Sequence, residues 1–199
     1  MRIMILTTQL NSGSAELLSV DLALNLKKMN QDVFLVSLQP LSDINNINSK
    51  NKGYQGLNVV SLNIKPKANI FKFFLSIIYL RSLLVKYEID IIETSSPTLA
   101  SVSAISTIGT KVKQISGLHE TFYKGKNRIK GGNTNSIRKR IFSFITNLRN
   151  NVYFYAVSDY VKQTWIHYSG ISKEKVKVIY DAIEIPKIYK TRENARIRL

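Results

Sequence analysis

Short, nearly continuous runs of Ile, Val, Leu and Phe recur along the chain. They alternate with longer stretches whose apolar positions repeat every three or four residues. The runs Arg2–Thr8, Asp32–Leu38, Leu57–Leu62, Asp90–Glu93, Val112–Ser116, Tyr153–Val157 and Val176–Tyr180 predict seven strands. Most lack polar alternation, as strands do in a parallel sheet covered on both faces. Between them, Leu18, Leu22, Leu26 and Met29 form a helical stripe. Ser96-Pro97 opens another helix, with Leu99, Val102 and Ile105 or Ile108 facing inward and Gly109 ending it. Ser136 precedes a helix whose face carries Ile137, Ile141, Phe144, Ile145 and Leu148. Ser158-Asp159 caps a last one, with Val161, Trp165 and Tyr168 on one face and Gly170 after its end.

Strand–helix alternation through the chain predicts an open, doubly wound, mostly parallel α/β sheet in a single domain over residues 1–186. The polar, Asn/Lys-rich Leu41–Gly56 and the glycine- and cation-containing Tyr123–Asn135 are expected to be loops. Residues 187–199 read as a linker or the first residues of a further domain.

Composition narrows the chemistry. Among 199 residues there is no cysteine, which excludes a disulfide scaffold, a thiolate metal site and a cysteine nucleophile. The two histidines, His119 and His167, are too far apart in sequence to suggest a metal cluster. Lys and Arg number 29 against 13 Asp and Glu, a net charge of +16, which favours an anionic partner. The opening run Met1–Leu6 is too short for a signal peptide. The apolar stretch Ile70–Tyr87 is broken by Lys72, Arg81 and Lys86, so it is not a spanning helix. The expectation is a cytoplasmic protein, peripheral at most on the inner membrane face. Its aromatics Phe71, Phe73, Phe74 and Tyr79 read as core or interface residues, and no nucleic-acid-binding motif is present.

Three turns lie where strand ends line a ligand crevice. After the first strand, Ser12, Gly13, Ser14 and Glu16 open a helix whose free amides suit a phosphate; the alternative is an ordinary turn capped by Ser12 or Ser14. After the fifth strand come Gly117, His119 and Glu120. A histidine there can act as a base or hydrogen-bond a sugar hydroxyl, or it merely closes a loop. At the fourth strand's end, Glu93-Thr94-Ser95-Ser96 offers hydroxyls, with Ser95 a candidate ligand contact and helix capping the alternative. From Thr121 to Ser158 there is no acidic residue. Lys124, Lys126, Arg138 and Arg140 in that stretch are candidates for holding an anionic lipid or a diphosphate.

Together these segments resemble the N-terminal half of the retaining GT-B glycosyltransferases of family 4. Ser12-Gly13-Ser14-Ala15-Glu16 is similar to that family's Gly-Gly-Ala-Glu turn, and Leu22-Ala23-Leu24-Asn25-Leu26 to its following helix. Asp90-Ile91-Ile92-Glu93-Thr94, Gly117-Leu118-His119-Glu120 and Ala156-Val157-Ser158-Asp159-Tyr160-Val161-Lys162 resemble later blocks in the same order. So does Val178-Ile179-Tyr180-Asp181-Ala182-Ile183-Glu184, although Ser12 and Asp181-Ala182 stand where the family usually has Gly and Asn-Gly.

The resemblance implies a Rossmann-like, acceptor-binding half and hexosyl transfer from a nucleotide sugar to a glycan or lipid-linked acceptor. It further implies no tightly bound cofactor and no metal. His119 would be the catalytic-site residue near the transferred sugar. Gly13, Ser14, Glu16, Ser95 and Glu120 would contact donor or acceptor. The donor-binding C-terminal half would have to come from elsewhere, such as a separate glycosyltransferase chain, so the polypeptide is expected to be incomplete alone. The competing expectation is a non-catalytic GT-B-like module that binds a membrane or a protein partner.

Overall fold

The computed structural model describes residues 1–10, 14–40, 56–64, 70–119 and 144–180. Seven strands form one all-parallel sheet: β1 (Arg2–Thr7), β2 (Asp32–Ser37), β3 (Asn58–Ser61), β4 (Ile91–Thr94), β5 (Lys113–Leu118), β6 (Val152–Ala156) and β7 (Val176–Val178). Their order across the sheet is β3-β2-β1-β4-β5-β6-β7. Winding therefore runs outward from β1 through β2 to β3, returns to β4, and proceeds the other way. The β1/β4 boundary is the switch point, the place where doubly wound sheets bind ligands beyond the strands' C-terminal ends.

Among the described residues, four helices of ten or more residues follow in the same frame: α1 (Ser14–Lys28), α2 (Ile70–Lys86), α3 (Pro97–Ser106) and α4 (Asp159–Ser169). Right-handed crossovers sort them onto two faces. Helix α1 covers Ile3, Ile5, Val33 and Leu35 with Val20 and Ala23. On the opposite face, α2 and α3 bring Leu80, Leu84, Leu99 and Val102 against Met4, Leu6, Val36 and Ile92. Helix α4 adds Val161 and Trp165 over Leu118, Phe154 and Ala156.

Local chemistry ends the helices where the sequence implies. Ser96 and Ser158 are extended N-caps whose hydroxyls accept from the amides of Leu99 and Val161. Gly170 closes α4 in the left-handed conformation, φ 76°. Asn30 and Glu88 take the same conformation after α1 and α2, where the amides of Gln31 and Ile89 reach back to the carbonyls of Leu26 and Leu84. The Arg149 guanidinium caps the C-terminal end of α3. It donates to the Ala104 carbonyl and, at 2.8 Å each, to the Thr107 hydroxyl and carbonyl. Burial lowers its pKa.

Within the described residues the strand and helix expectations hold to within a residue or two, the predicted start of the helix after Ser136 lying outside them, but two inward-face assignments, on α1 and at 144–148, do not. On α1 the buried positions are Ser19, Val20 and Ala23, with Leu22 and Leu26 only partly covered and Leu18 and Met29 exposed. Small residues let α1 lie close to the sheet, which rotates the longer side chains outward. At 144–148, which are helical, Thr146 is buried while Phe144 and Leu148 are exposed. On α2, Phe71, Phe74 and Tyr79 are exposed and only Phe73 packs inward.

Candidate active site at the switch-point crevice

Strand pairing decides which side chains meet. Glu93 pairs with Ile115, and Gly117 with Tyr155, so Glu93, Ile115, Gly117 and Tyr155 project from one sheet face, the face that carries α1. His119, two residues beyond Gly117, follows the same alternation. The Tyr155 hydroxyl donates to Glu93 Oε1 at 3.2 Å and lies 3.4 Å from His119 Nε2. The His119 and Tyr155 rings meet edge to face, centroids 5.7 Å apart. A carboxyl, a phenol and an imidazole thus form one line across the ends of β4, β6 and β5.

Gly117 makes this line possible. A methyl group at its Cα would stand 2.5 Å from His119 Nε2 and 2.7 Å from the Tyr155 hydroxyl. The two rings occupy the space a side chain would need.

The line is electrostatically unusual. Glu93 is almost fully buried, and burial raises its pKa from 4.5 to about 7, partly offset by the Tyr155 hydroxyl, which favours the carboxylate. Among the described residues, Glu93 Oε2 and His119 Nδ1 have no hydrogen-bond partner although both atoms are buried. Orphaned buried polar atoms are costly, and in native sites they often mark a place for an arriving group. A carboxyl poised near neutrality and linked through a phenol to an imidazole can hold or pass a proton within the network.

The neighbouring strand ends are tied down. Thr94 and Ser116 share a 2.8 Å hydroxyl contact, and the Gln114 amide donates to Ser116 Oγ and the Ala100 carbonyl. Ser95 Oγ lies 3.4 Å from Ser19 Oγ, which links the end of β4 to α1 across the switch point.

Of the sequence-derived site residues, the structure therefore brings His119 and Ser95 to the same sheet edge. Ser14 and Glu16 lie in the first turn of α1, with side chains outside the described residues. Gly13, Glu120, Lys124, Lys126, Arg138 and Arg140 lie outside the described residues altogether. Glu93 and Tyr155 had no assigned role in the sequence reading. The available signal was a glutamate directly after Ile91-Ile92 in a strand of a sheet covered on both faces, where a charged side chain has no ready path to solvent.

Two open pockets lie elsewhere. One, at the opposite sheet edge, is lined by Gly109, Lys111, Lys113, Arg149 and Asn151; the other runs between the end of β3 and α2 along Ser61, Asn63, Ile64 and Tyr79. Neither contains the Glu93–Tyr155–His119 line.

The fold matches solved structures at low sequence identity. A glycosyltransferase from Rickettsia africae superposes with a TM-score of 0.68 at 20% identity, covering 99% of this chain and 48% of that one. Anabaena HepE in complex with UDP and glucose gives 0.67 at 16% identity, covering 98% and 49%. The lipopolysaccharide outer core galactosyltransferase WaaB gives 0.63 at 14%, covering 94% and 48%. The chain thus spans about half the length of these neighbours. No curated protein matches it in sequence. The model of Glycosyltransferase Family 4 matches residues 15–185, nearly the whole chain, and the protein belongs to that family.

Proposed function

We propose that this chain is the acceptor-binding lobe of a retaining glycosyltransferase. The complete enzyme would move a hexosyl group from a nucleotide sugar to a glycan or lipid-linked acceptor, with a second lobe supplying most of the donor site. The observation that carries this reading is the Glu93–Tyr155–His119 line, set at the C-terminal strand edge beside the switch point with two buried polar atoms unpaired. Family membership and the UDP and UDP-glucose bound to HepE support the donor class.

In this reading His119 meets a hydroxyl of the transferred sugar and Glu93, through Tyr155, fixes the imidazole's orientation and tautomer. Tyr155 and Glu93 are positioning residues. Gly13, and Ser14 and Glu16 in the first turn of α1, are assigned to the diphosphate; free helix amides offset the charge that builds on it as the glycosyl bond breaks. Ser95 and Glu120 flank the acceptor. No metal is required for these roles. The basic segment with Lys124, Lys126, Arg138 and Arg140 is assigned to an anionic lipid or a diphosphate, which would hold the protein peripherally at the inner membrane face.

Amide chemical shifts of the isotope-labelled chain test the placement. Titration with UDP-glucose and with short glycans should move the amides of Ser95, Gly117, His119 and Tyr155. Shifts confined to Gly109–Lys113 and Asn151, at the other sheet edge, would place the ligand in the wrong pocket and end this reading.

A further inference from the structure

Helix α2 carries large apolar side chains on its outward side as well as on its sheet-facing side. Phe73, Ser76, Ile77, Leu80 and Leu84 turn toward the sheet. On the opposite side Phe71, Phe74, Ile78 and Val85 are each 57–65% exposed. At 100° per residue these four positions fall within about 60° of one another, so they form one outward stripe. A helix that is hydrophobic all round normally has something apolar against both faces. Among the described residues, only the inner face is covered.

Charge indicates what covers the outer one. No residue of α2 is acidic. Lys72, Arg81 and Lys86 lie on α2 itself. Arg81 donates to the carbonyls of Ser106 and Ile108, which fixes its positive charge beside the stripe. A second copy of this chain would bring these like charges together, whereas anionic lipid headgroups would neutralise them while the acyl region accepts the phenyl rings.

We propose that the outward stripe of α2 docks this protein on an anionic lipid bilayer, with Phe71, Phe74 and Ile78 entering the headgroup–acyl boundary. The helix enters from the C-terminal end of β3 and leaves four residues before the N-terminal end of β4, so it runs antiparallel to the strands. Phe71 and Phe74 therefore sit at the sheet edge that carries Ser95 and His119. Docking turns that edge toward the lipid surface. The inference stands apart from the sugar-transfer reading, because it rests on exposure and charge alone. It also differs from attachment by the Lys124–Arg140 segment, which would be electrostatic only.

Cosedimentation with vesicles of equimolar phosphatidylglycerol and phosphatidylcholine tests it, using the full 199-residue chain. The wild type should bind, more weakly to phosphatidylcholine alone. The pair Phe71→Ser and Phe74→Ser should bind at least about tenfold more weakly, because two inserted aromatic surfaces are lost. Both sites are exposed, and an unchanged circular dichroism spectrum and Tm should show that the fold persists. In a second variant, Phe74→Trp, vesicles should shift the emission to the blue and brominated lipids should quench it. Trp165, buried under α4, serves as the constant background. Equal vesicle binding by wild type and double variant would overturn the proposal. So would a Phe74→Trp emission that stays water-like on vesicles, or a wild-type dimer that the double variant abolishes without loss of vesicle binding.

Discussion

Glu93→Gln is expected to stabilise the protein at alkaline pH and to remove a pH dependence that the wild type carries. Folding takes the Glu93 carboxyl out of water, so its pKa rises from 4.5 to about 7. Between those two values the native state keeps a proton that the unfolded chain has already released. Stability therefore falls as pH rises through this window, and the whole penalty is present above pH 7. A shift of this size corresponds to about 3 kcal/mol. Glutamine has nearly the same shape, can accept from the Tyr155 hydroxyl and does not ionise. At pH 8 the variant should exceed the wild type by about 3 kcal/mol, roughly 6–12 °C in Tm for a chain of this length. Near pH 4.5 the two should coincide. Parallel Tm profiles for both proteins from pH 4.5 to 8 would show that Glu93 is not held neutral by burial.

His119→Ala should lower sugar transfer by about 10²-fold once the chain is paired with a donor-binding lobe, the lower range for loss of a positioned acid–base or hydrogen-bonding group. Tyr155→Phe keeps the ring and deletes the hydroxyl that connects Glu93 to His119. It should cost less than His119→Ala and displace the pH–rate profile, since the Glu93 carboxyl loses the phenol's hydrogen bond and is pushed further toward the neutral form. Gly117→Ala should approach the histidine loss without removing a polar group, because its methyl would drive the imidazole and the phenol apart. Steady-state rates for the three variants check this order. A Gly117→Ala enzyme with wild-type turnover would mean that the line is not part of the working site.

Most of the architecture was legible in the sequence. Continuous apolar runs such as Arg2–Thr7 and Ile91–Ile92 have no solvent face to alternate with, and a doubly covered parallel sheet is where such runs fit. Ser96, Ser158 and Gly170 announced helix ends through their own hydrogen bonding and backbone freedom. Helix faces were less legible. Ser19 and Ala23 are buried on α1 because a close-packed helix needs small side chains there, and periodicity read on leucines misses them. For Phe71 and Phe74 the sequence leaves core and interface open, and their exposure excludes the core, because the helix carries more apolar surface than one sheet face can cover.

The site was half legible. His119 and Ser95 follow from position at strand ends alone. The link from Glu93 to Tyr155 spans 62 residues and depends on strand register, which sequence spacing does not give. The need for glycine at 117 likewise emerges only when the two rings above it are placed.

The most direct test of the account is transfer of labelled hexose from a nucleotide sugar, measured for this chain alone, for a GT-B donor-binding lobe alone, and for the two together. Product is expected only from the combination, with the anomeric configuration of the donor kept and the signal lost in His119→Ala. Transfer by the donor lobe alone at the same rate, or by the combination regardless of His119, would contradict it.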